Sequence, residues 1–375
     1  MRALVYHGNN DIRYDSNFPN PEIKYPTQVK LKIDYCGICG SDLHELLDGP
    51  IFFQEANPIS GKGFKQCMGH EMCGEIVEIG PKVTGFKIGD KVVVDACGTC
   101  NNKSNLGSKD LDLCEACEIG KYNCCEKLGF IGLGFDNGGF ADEVVLDFNH
   151  LIKYNPDILP VEIAAVTEPL AVAWHAVSQS GIQHNHSALI LGAGPIGLST
   201  IFALKGNKIQ NIVISEPSKA RRELAQSFGI KTFDPSKYSN EPESLAALKS
   251  LSHDGKGFHR TYDCSGIPVT FNASIKLLRT GGIATNIAIW GHKPIDFYPM
   301  NLTLHETFLT GSMCYTKKDF QAVIKAYEDG LIDPQEVKNL VTAVIPIKDC
   351  AEKGFKELIN NNAKHIKILV TPHLD

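Results

Sequence analysis

The stretch Cys36-Gly-Ile-Cys39-Gly-Ser-Asp-Leu-His44 places two thiols and an imidazole within nine residues. Thiols at this spacing fit a metal knuckle, a redox dithiol or one ligand of a catalytic centre, and the stretch by itself leaves all three open. Further along stand Gly69-His70-Glu71 and, just before Pro169, Glu168. One thiolate, one imidazole and one carboxylate make three protein ligands with an open fourth position, the arrangement of catalytic zinc. Asp42 is suited to hold the His70 imidazole from behind. Ser41 and His44, a hydroxyl and an imidazole three residues apart, can pass a proton outward from the metal.

A second constellation is Cys114-x2-Cys117-x7-Cys125. Three thiolates at this spacing need a fourth ligand to close a tetrahedron. Cys97 and Cys100 are the upstream candidates, and Cys100 requires the segment 101–113 to fold back. A closed four-thiolate site has no open position, so its role is structural. Cys124, beside Cys125, leaves the register ambiguous by one residue.

The third is Gly192-Ala193-Gly194-Pro195-Ile196-Gly197. Such glycines permit a tight turn and close approach of the backbone to a pyrophosphate, provided a strand precedes them and a helix follows. Glu216 comes nineteen residues after Gly197, where a carboxylate accepts the ribose hydroxyls of NAD and repels the extra phosphate of NADP. Arg221 and Arg222 weigh the other way, because an arginine there can pair with that phosphate.

These groups must be positioned by two kinds of architecture. The first 150 residues carry short β-like runs, VKLKIDY (29–35), GEIVEIG (74–80) and GDKVVVDA (89–96), separated by turn residues. Prolines 156, 160 and 169 punctuate a connector, and an apolar helix then runs to Gly181. From residue 187 the pattern alternates. Strands are expected at 187–192, 211–216, 231–234, 260–266, 282–291 and 307–313, with helices between most of them, as in a doubly wound parallel sheet. A helix over DFQAVIKAYEDG and a strand at 366–371 close the chain.

The 375 residues suffice for two domains. A net charge of −6, with no Lys/Arg block in either half, argues against nucleic acid or an anionic membrane as partner. No apolar run approaches membrane-spanning length, and the N-terminal MRALVYHGNNDIRYD lacks a signal peptide's apolar core. Of the 13 cysteines, ten lie between Cys36 and Cys125. Clustered cysteine with nearby His and Glu points to metal chemistry in a reducing, cytoplasmic setting.

CGICGSDLH, GHE, GDKVVV, the four-cysteine lobe, EPLAV, GAGPIG and DCSG, in this order, resemble the zinc-dependent medium-chain alcohol and polyol dehydrogenases. HELLDGPIF (44–52), the long segment between Cys39 and His70, and SEPSKARRELA are similar to the fungal 2,3-butanediol dehydrogenase branch of that family. The resemblance implies an α/β chain. Its parts are a GroES-like, mostly-β catalytic domain (1–160), a Rossmann NAD-binding domain (161–315) and a C-terminal segment (316–375) returning to the first. It implies Cys39 rather than Cys36 as catalytic-zinc ligand, with His70 and a carboxylate at Glu168 or Glu71. It also implies that Cys100, Cys114, Cys117 and Cys125 hold a second, structural zinc, and that Gly192, Gly194, Pro195, Ile196, Gly197, Glu216 and Arg221 meet NAD.

It further implies hydride transfer between NAD and a small vicinal diol or hydroxyketone in a homodimer or homotetramer. In that reaction Ser41 is expected to take the hydroxyl proton and His44 to relay it. Pro50, Ile51, Phe52 and Phe53 read equally as a wall for a short methylated diol or as loop-anchoring core. Two departures stand out. The family's alcohol dehydrogenases have cysteine where Glu168 stands, and the lobe has thirteen residues between its first two cysteines instead of two.

Overall fold

Alternation of apolar and polar residues decides the first half of the chain. In the strand Gln28–Gly37, Val29, Leu31 and Ile33 are fully buried while Lys30 and Lys32 turn outward. Each such buried side chain stabilises the sheet by roughly 1.5–3 kcal/mol. The computed structural model describes residues 1–102, 112–291, 293–361 and 364–374. Most of the expected fold-back of 101–113 therefore lies outside the described residues.

Two units divide the chain. The first comprises Met1–Glu168, Thr316–Ile324 and Leu340–Asp375. The segment 316–375 is thus shared, with Lys325–Asn339 belonging to the second unit. The first unit's largest sheet has the order Leu151–Lys153, Lys91–Val94, Glu71–Ile79, Gln28–Gly37, Lys367–Thr371, Val341–Pro346. Glu143–Asp147 also pairs with Gln28–Gly37. The register sets Gly37 opposite Glu71 and Cys36 opposite Met72, while Leu369 and Val370 flank the same strand on its other side. Three distant parts of the sequence therefore meet at one sheet position.

The second unit, Pro169–Tyr315 with Lys325–Asn339, is built on a six-stranded parallel sheet. Its order is Lys231–Phe233, Asn211–Ser215, Ser187–Leu191, Phe258–Asp263, Leu278–Asn286, Phe308–Gly311. This is the doubly wound order, with the chain reversing beside its first strand. Ser187–Leu191 is buried at every position, as a central strand covered on both faces must be.

Some strand ends differ from expectation for local reasons. The strand expected at 260–266 stops at Asp263, whose carboxylate accepts the Ser265 N–H at 3.2 Å and turns the chain before Gly266. The run expected at 282–291 is instead Leu278–Asn286. Beyond it, the Trp290 indole donates to Asn286 Oδ1 at 2.8 Å and holds a loop. Among the described residues no helix is long and apolar enough to cross a membrane.

Candidate active site

Cys39, two residues past the strand Gln28–Gly37, caps the helix Gly40–Asp48. Asp42, fully buried in that helix's first turn, serves two neighbours. Its Oδ2 accepts the Cys39 N–H at 2.9 Å, and its Oδ1 lies 3.3 Å from His70 Nδ1. That second contact is an ion-pair approach not aligned as a hydrogen bond. The Ser41 hydroxyl stands 3.3 Å from the other ring nitrogen, Nε2. His70 follows Gly69, whose φ of 99° only glycine adopts readily.

The ligand atoms of Cys39, His70 and Glu71 all lie within 4.8 Å of one another. Such a set fits around a zinc ion, whose bonds to these donors run about 2.0–2.3 Å. Burial disfavours a charged His70, yet Asp42 and Cys39 outweigh it and hold the imidazole well above its usual pKa. Negative donors concentrated this way are what a cation relieves. Cys36 is fully buried, and burial pushes its thiol up; it is outside the set.

Glu71 has a partner that sequence reasoning missed. Lys367 Nζ donates to both Glu71 carboxylate oxygens at 2.6 and 2.7 Å, and to the Ile38 carbonyl at 3.1 Å. Both side chains are almost wholly buried. Burial alone would lower the Lys367 pKa, but Glu71 first, then Cys39 and Glu168, raise it. Gly37 is required here, since a Cβ would sit 2.1 Å from Glu71 Oε2. The available signal was a lysine inside the closing strand Lys367–Thr371, buried at every position, because a buried ammonium demands a carboxylate. Glu168 is buried in the first turn of the helix Thr167–Gln179, near enough to act on Lys367, but outside the 4.8 Å set.

His44 is one turn beyond Ser41 on the exposed side of its helix, with Nδ1 3.6 Å from Asp48 Oδ2. Of the apolar loop, Phe53 is core: its ring lies 4.6 Å from that of Tyr6. Phe52 meets Phe130 edge-on at 5.5 Å, and Phe130 stands 6.1 Å from the His70 ring. Ile51 is exposed. No feature of the sequence marked Phe130, which comes to His70 through tertiary packing alone.

The lobe brings together Cys100, Cys114, Cys117 and Cys125, all buried and mutually within 4.8 Å. Cys125 Sγ is 3.5 Å from Cys100 Sγ and 3.8 Å from Cys114 Sγ. Thiolates about 2.3 Å from one centre stand about 3.8 Å apart at tetrahedral corners, so the cluster fits zinc. The Glu126 backbone lowers the Cys114 thiol, whereas burial raises Cys117 and Cys125. Cys97 lies instead in the strand Cys97–Gly98, and Cys124 is exposed.

In the second unit Gly194 caps the helix Pro195–Gly206, with Pro195 at its first position. A Cβ on Gly197 would meet the Gly192 carbonyl at 1.9 Å, so helix and strand pack backbone to backbone. A Cβ on Gly194 would meet nothing within 4 Å, which leaves open space at the helix N-terminus beside Ile196 for a pyrophosphate. Glu216 is buried at the mouth of this loop. Its Oε2 accepts the Ala193 N–H at 2.7 Å and its Oε1 that of Ser218 at 2.8 Å. Arg222 is committed to Asp234 at 2.6 Å and to the carbonyls of Glu216 and Pro217. Arg221 follows Ala220 on the helix Lys219–Ser227.

A Rossmann sheet with a glycine-loop helix in one unit, and a thiol–imidazole–carboxylate set in the mostly-β other, together define a metal-dependent nicotinamide dehydrogenase. The chain belongs to the zinc-binding alcohol dehydrogenase family: residues 25–157 match the alcohol dehydrogenase GroES-like domain and 195–329 the zinc-binding dehydrogenase domain. It is 45% identical over its whole length to the (R,R)-butanediol dehydrogenase of Saccharomyces cerevisiae, covering 98% of that protein. A probable (R)-acetoin-forming diacetyl reductase of the same yeast is also 45% identical, with 90% covered. Among solved structures, the 2R,3R-butanediol dehydrogenase of Bacillus subtilis superposes with a TM-score of 0.86 at 33% identity, over 99% of both chains.

Proposed function

We propose that the protein oxidises (R,R)-2,3-butanediol to acetoin with NAD, and reduces acetoin or diacetyl in reverse, as an enzyme with two zinc ions per chain. The observation that carries this reading is the half-open donor set of Cys39, His70 and a carboxylate. The full-length relatives narrow the substrate to a short diol. Lys367 occupies both oxygens of Glu71, which favours Glu168 as the third zinc ligand. When bound, zinc supplies Lewis-acid polarisation of the substrate hydroxyl and NAD supplies the hydride acceptor. Asp42 fixes the His70 ring from its Nδ1 side. Ser41, at Nε2, is placed to accept the hydroxyl proton, and His44 to release it to solvent. Cys100, Cys114, Cys117 and Cys125 close the structural site.

The test is catalytic efficiency on 2,3-butanediol against xylitol and sorbitol. The diol should lead by at least about tenfold, since hydroxyls left unpaired in an apolar site are costly. A lead for either polyol would move the protein to the polyol branch, to which a probable D-xylulose reductase at 31% identity belongs by name.

Two variants probe the parts. Glu216→Ala should reduce the preference for NAD over NADP by about tenfold or more in kcat/KM, because it removes a buried carboxylate facing the phosphate position. A wild type that already favours NADP contradicts this assignment. His44→Gln should slow diol oxidation about tenfold, most at low pH where hydroxide cannot stand in for the base. A pH–rate profile overlaying the wild type would remove His44 from the proton path.

A homodimer is the expected assembly. The sheet ends at the strand Phe308–Gly311, whose Phe308 and Leu309 are exposed, and a second copy pairing there would cover them. The cysteine-rich lobe favours a reducing, cytoplasmic compartment.

A further inference from the structure

A buried carboxylate with no part in the reaction above sits one helical turn from Ser41. Glu45 is fully buried in the helix Gly40–Asp48. Its carboxylate accepts the backbone N–H of Ile51 at 3.0 and 3.1 Å, and that of Phe52 at 2.8 Å. Its carbonyl accepts the Gly49 N–H at 3.1 Å and the Tyr6 hydroxyl at 3.2 Å. A buried carboxylate is costly unless its oxygens are bonded, and charge-assisted bonds from N–H groups are stronger than neutral ones. The segment after the helix is therefore wrapped onto Glu45 and cannot drift without stranding the charge.

That segment carries Phe52. Its carbonyl is pressed by the Gly134 backbone, where a Cβ would come within 2.3 Å. Its ring meets Phe130, and Phe130 meets His70. Contacts thus run from Glu45 through two aromatic rings to a metal-ligand candidate. We propose that Glu45 is a positioning residue for the substrate: it fixes Phe52 against Phe130 and keeps the wall beside His70 close around a short diol. This rests on the diol reading of the site.

The experiment compares zinc-loaded wild type, Glu45→Ala, Glu45→Gln and Phe52→Ala by initial rates on (R,R)-2,3-butanediol and xylitol, and by hydrogen exchange over residues 50–53. Glu45→Ala should raise KM for butanediol about tenfold with kcat within about threefold, the signature of lost placement rather than lost chemistry. Its preference for butanediol over xylitol should fall about tenfold. The Ile51 and Phe52 amides should exchange faster, with zinc content unchanged. Glu45→Gln keeps an acceptor and should recover most of each effect.

Phe52→Ala should reproduce the selectivity loss with Glu45 intact, and the double variant should add little to it. Amides that exchange no faster in Glu45→Ala overturn the proposal, as does an unchanged substrate preference or an equal fall of kcat on both substrates. Should Glu45→Ala fail to fold, Phe52→Ala decides: unchanged selectivity overturns the proposal. A wild type inactive on both substrates contradicts the diol reading instead, and the exchange measurement then tests the clamp alone.

Discussion

Replacing Cys39 by serine should abolish dehydrogenase activity by about a thousandfold or more while the protein stays folded. Polarisation by the metal is worth several kcal/mol of transition-state stabilisation, and each 1.4 kcal/mol or so is tenfold in rate. Cys39 sits at a helix start, partly exposed, where serine is itself a favoured cap, so stability should change by less than about 1 kcal/mol. One of two zinc ions should be lost. Cys117→Ser makes the opposite pattern: it opens the closed cluster, and metal binding there is folding free energy, so the melting temperature should fall well below that of Cys39→Ser. Elemental analysis with thermal unfolding on both variants checks the pair. A Cys39→Ser protein that keeps both ions and its activity would exclude the thiol as ligand.

The second large effect is on stability. Lys367→Met should cost about 3–5 kcal/mol, because it strands the Glu71 carboxylate in a buried site where Lys367 is its ion-pair partner. Adding Glu71→Gln removes the stranded charge and should recover at least half of the loss. Urea unfolding of the single and double variants measures both. A loss under about 1 kcal/mol in the single variant would mean that the pair is not what holds the closing strand to the site.

Lys367 also marks where the sequence stopped being readable. A thiol, the His70 imidazole and a carboxylate at Glu71 or Glu168 could be proposed as donors because a donor inventory is chemistry, and chemistry does not depend on knowing the path of the chain. The choice of Cys39 over Cys36 came from the family resemblance. The strands expected at 29–35 and 187–192 were legible because alternation and a continuous apolar run are visible in the sequence. The Glu71–Lys367 pair spans most of the chain and exists only because Lys367–Thr371 is inserted beside Gln28–Gly37. A sequence carries no period for a pairing of that separation. Phe130 at His70 is of the same kind.

The choice between Cys97 and Cys100 was likewise open by spacing. In the fold a strand pairs Cys97 with Phe130, while Cys100 lies within 4.8 Å of the other three thiols. Glu216 was legible as a carboxylate at a strand end. Its backbone bonds to Ala193 and Ser218 were not, and neither was the commitment of Arg222 to Asp234.

The most direct test is to follow a label. (R,R)-2,3-butanediol deuterated at the carbinol carbons should be turned over with NAD to give acetoin, with one deuterium carried onto the nicotinamide ring for each NADH formed. Hydride transfer moves the label without exchange with water. Reduced cofactor without the label, or no reduction of NAD by this diol, would contradict the assignment.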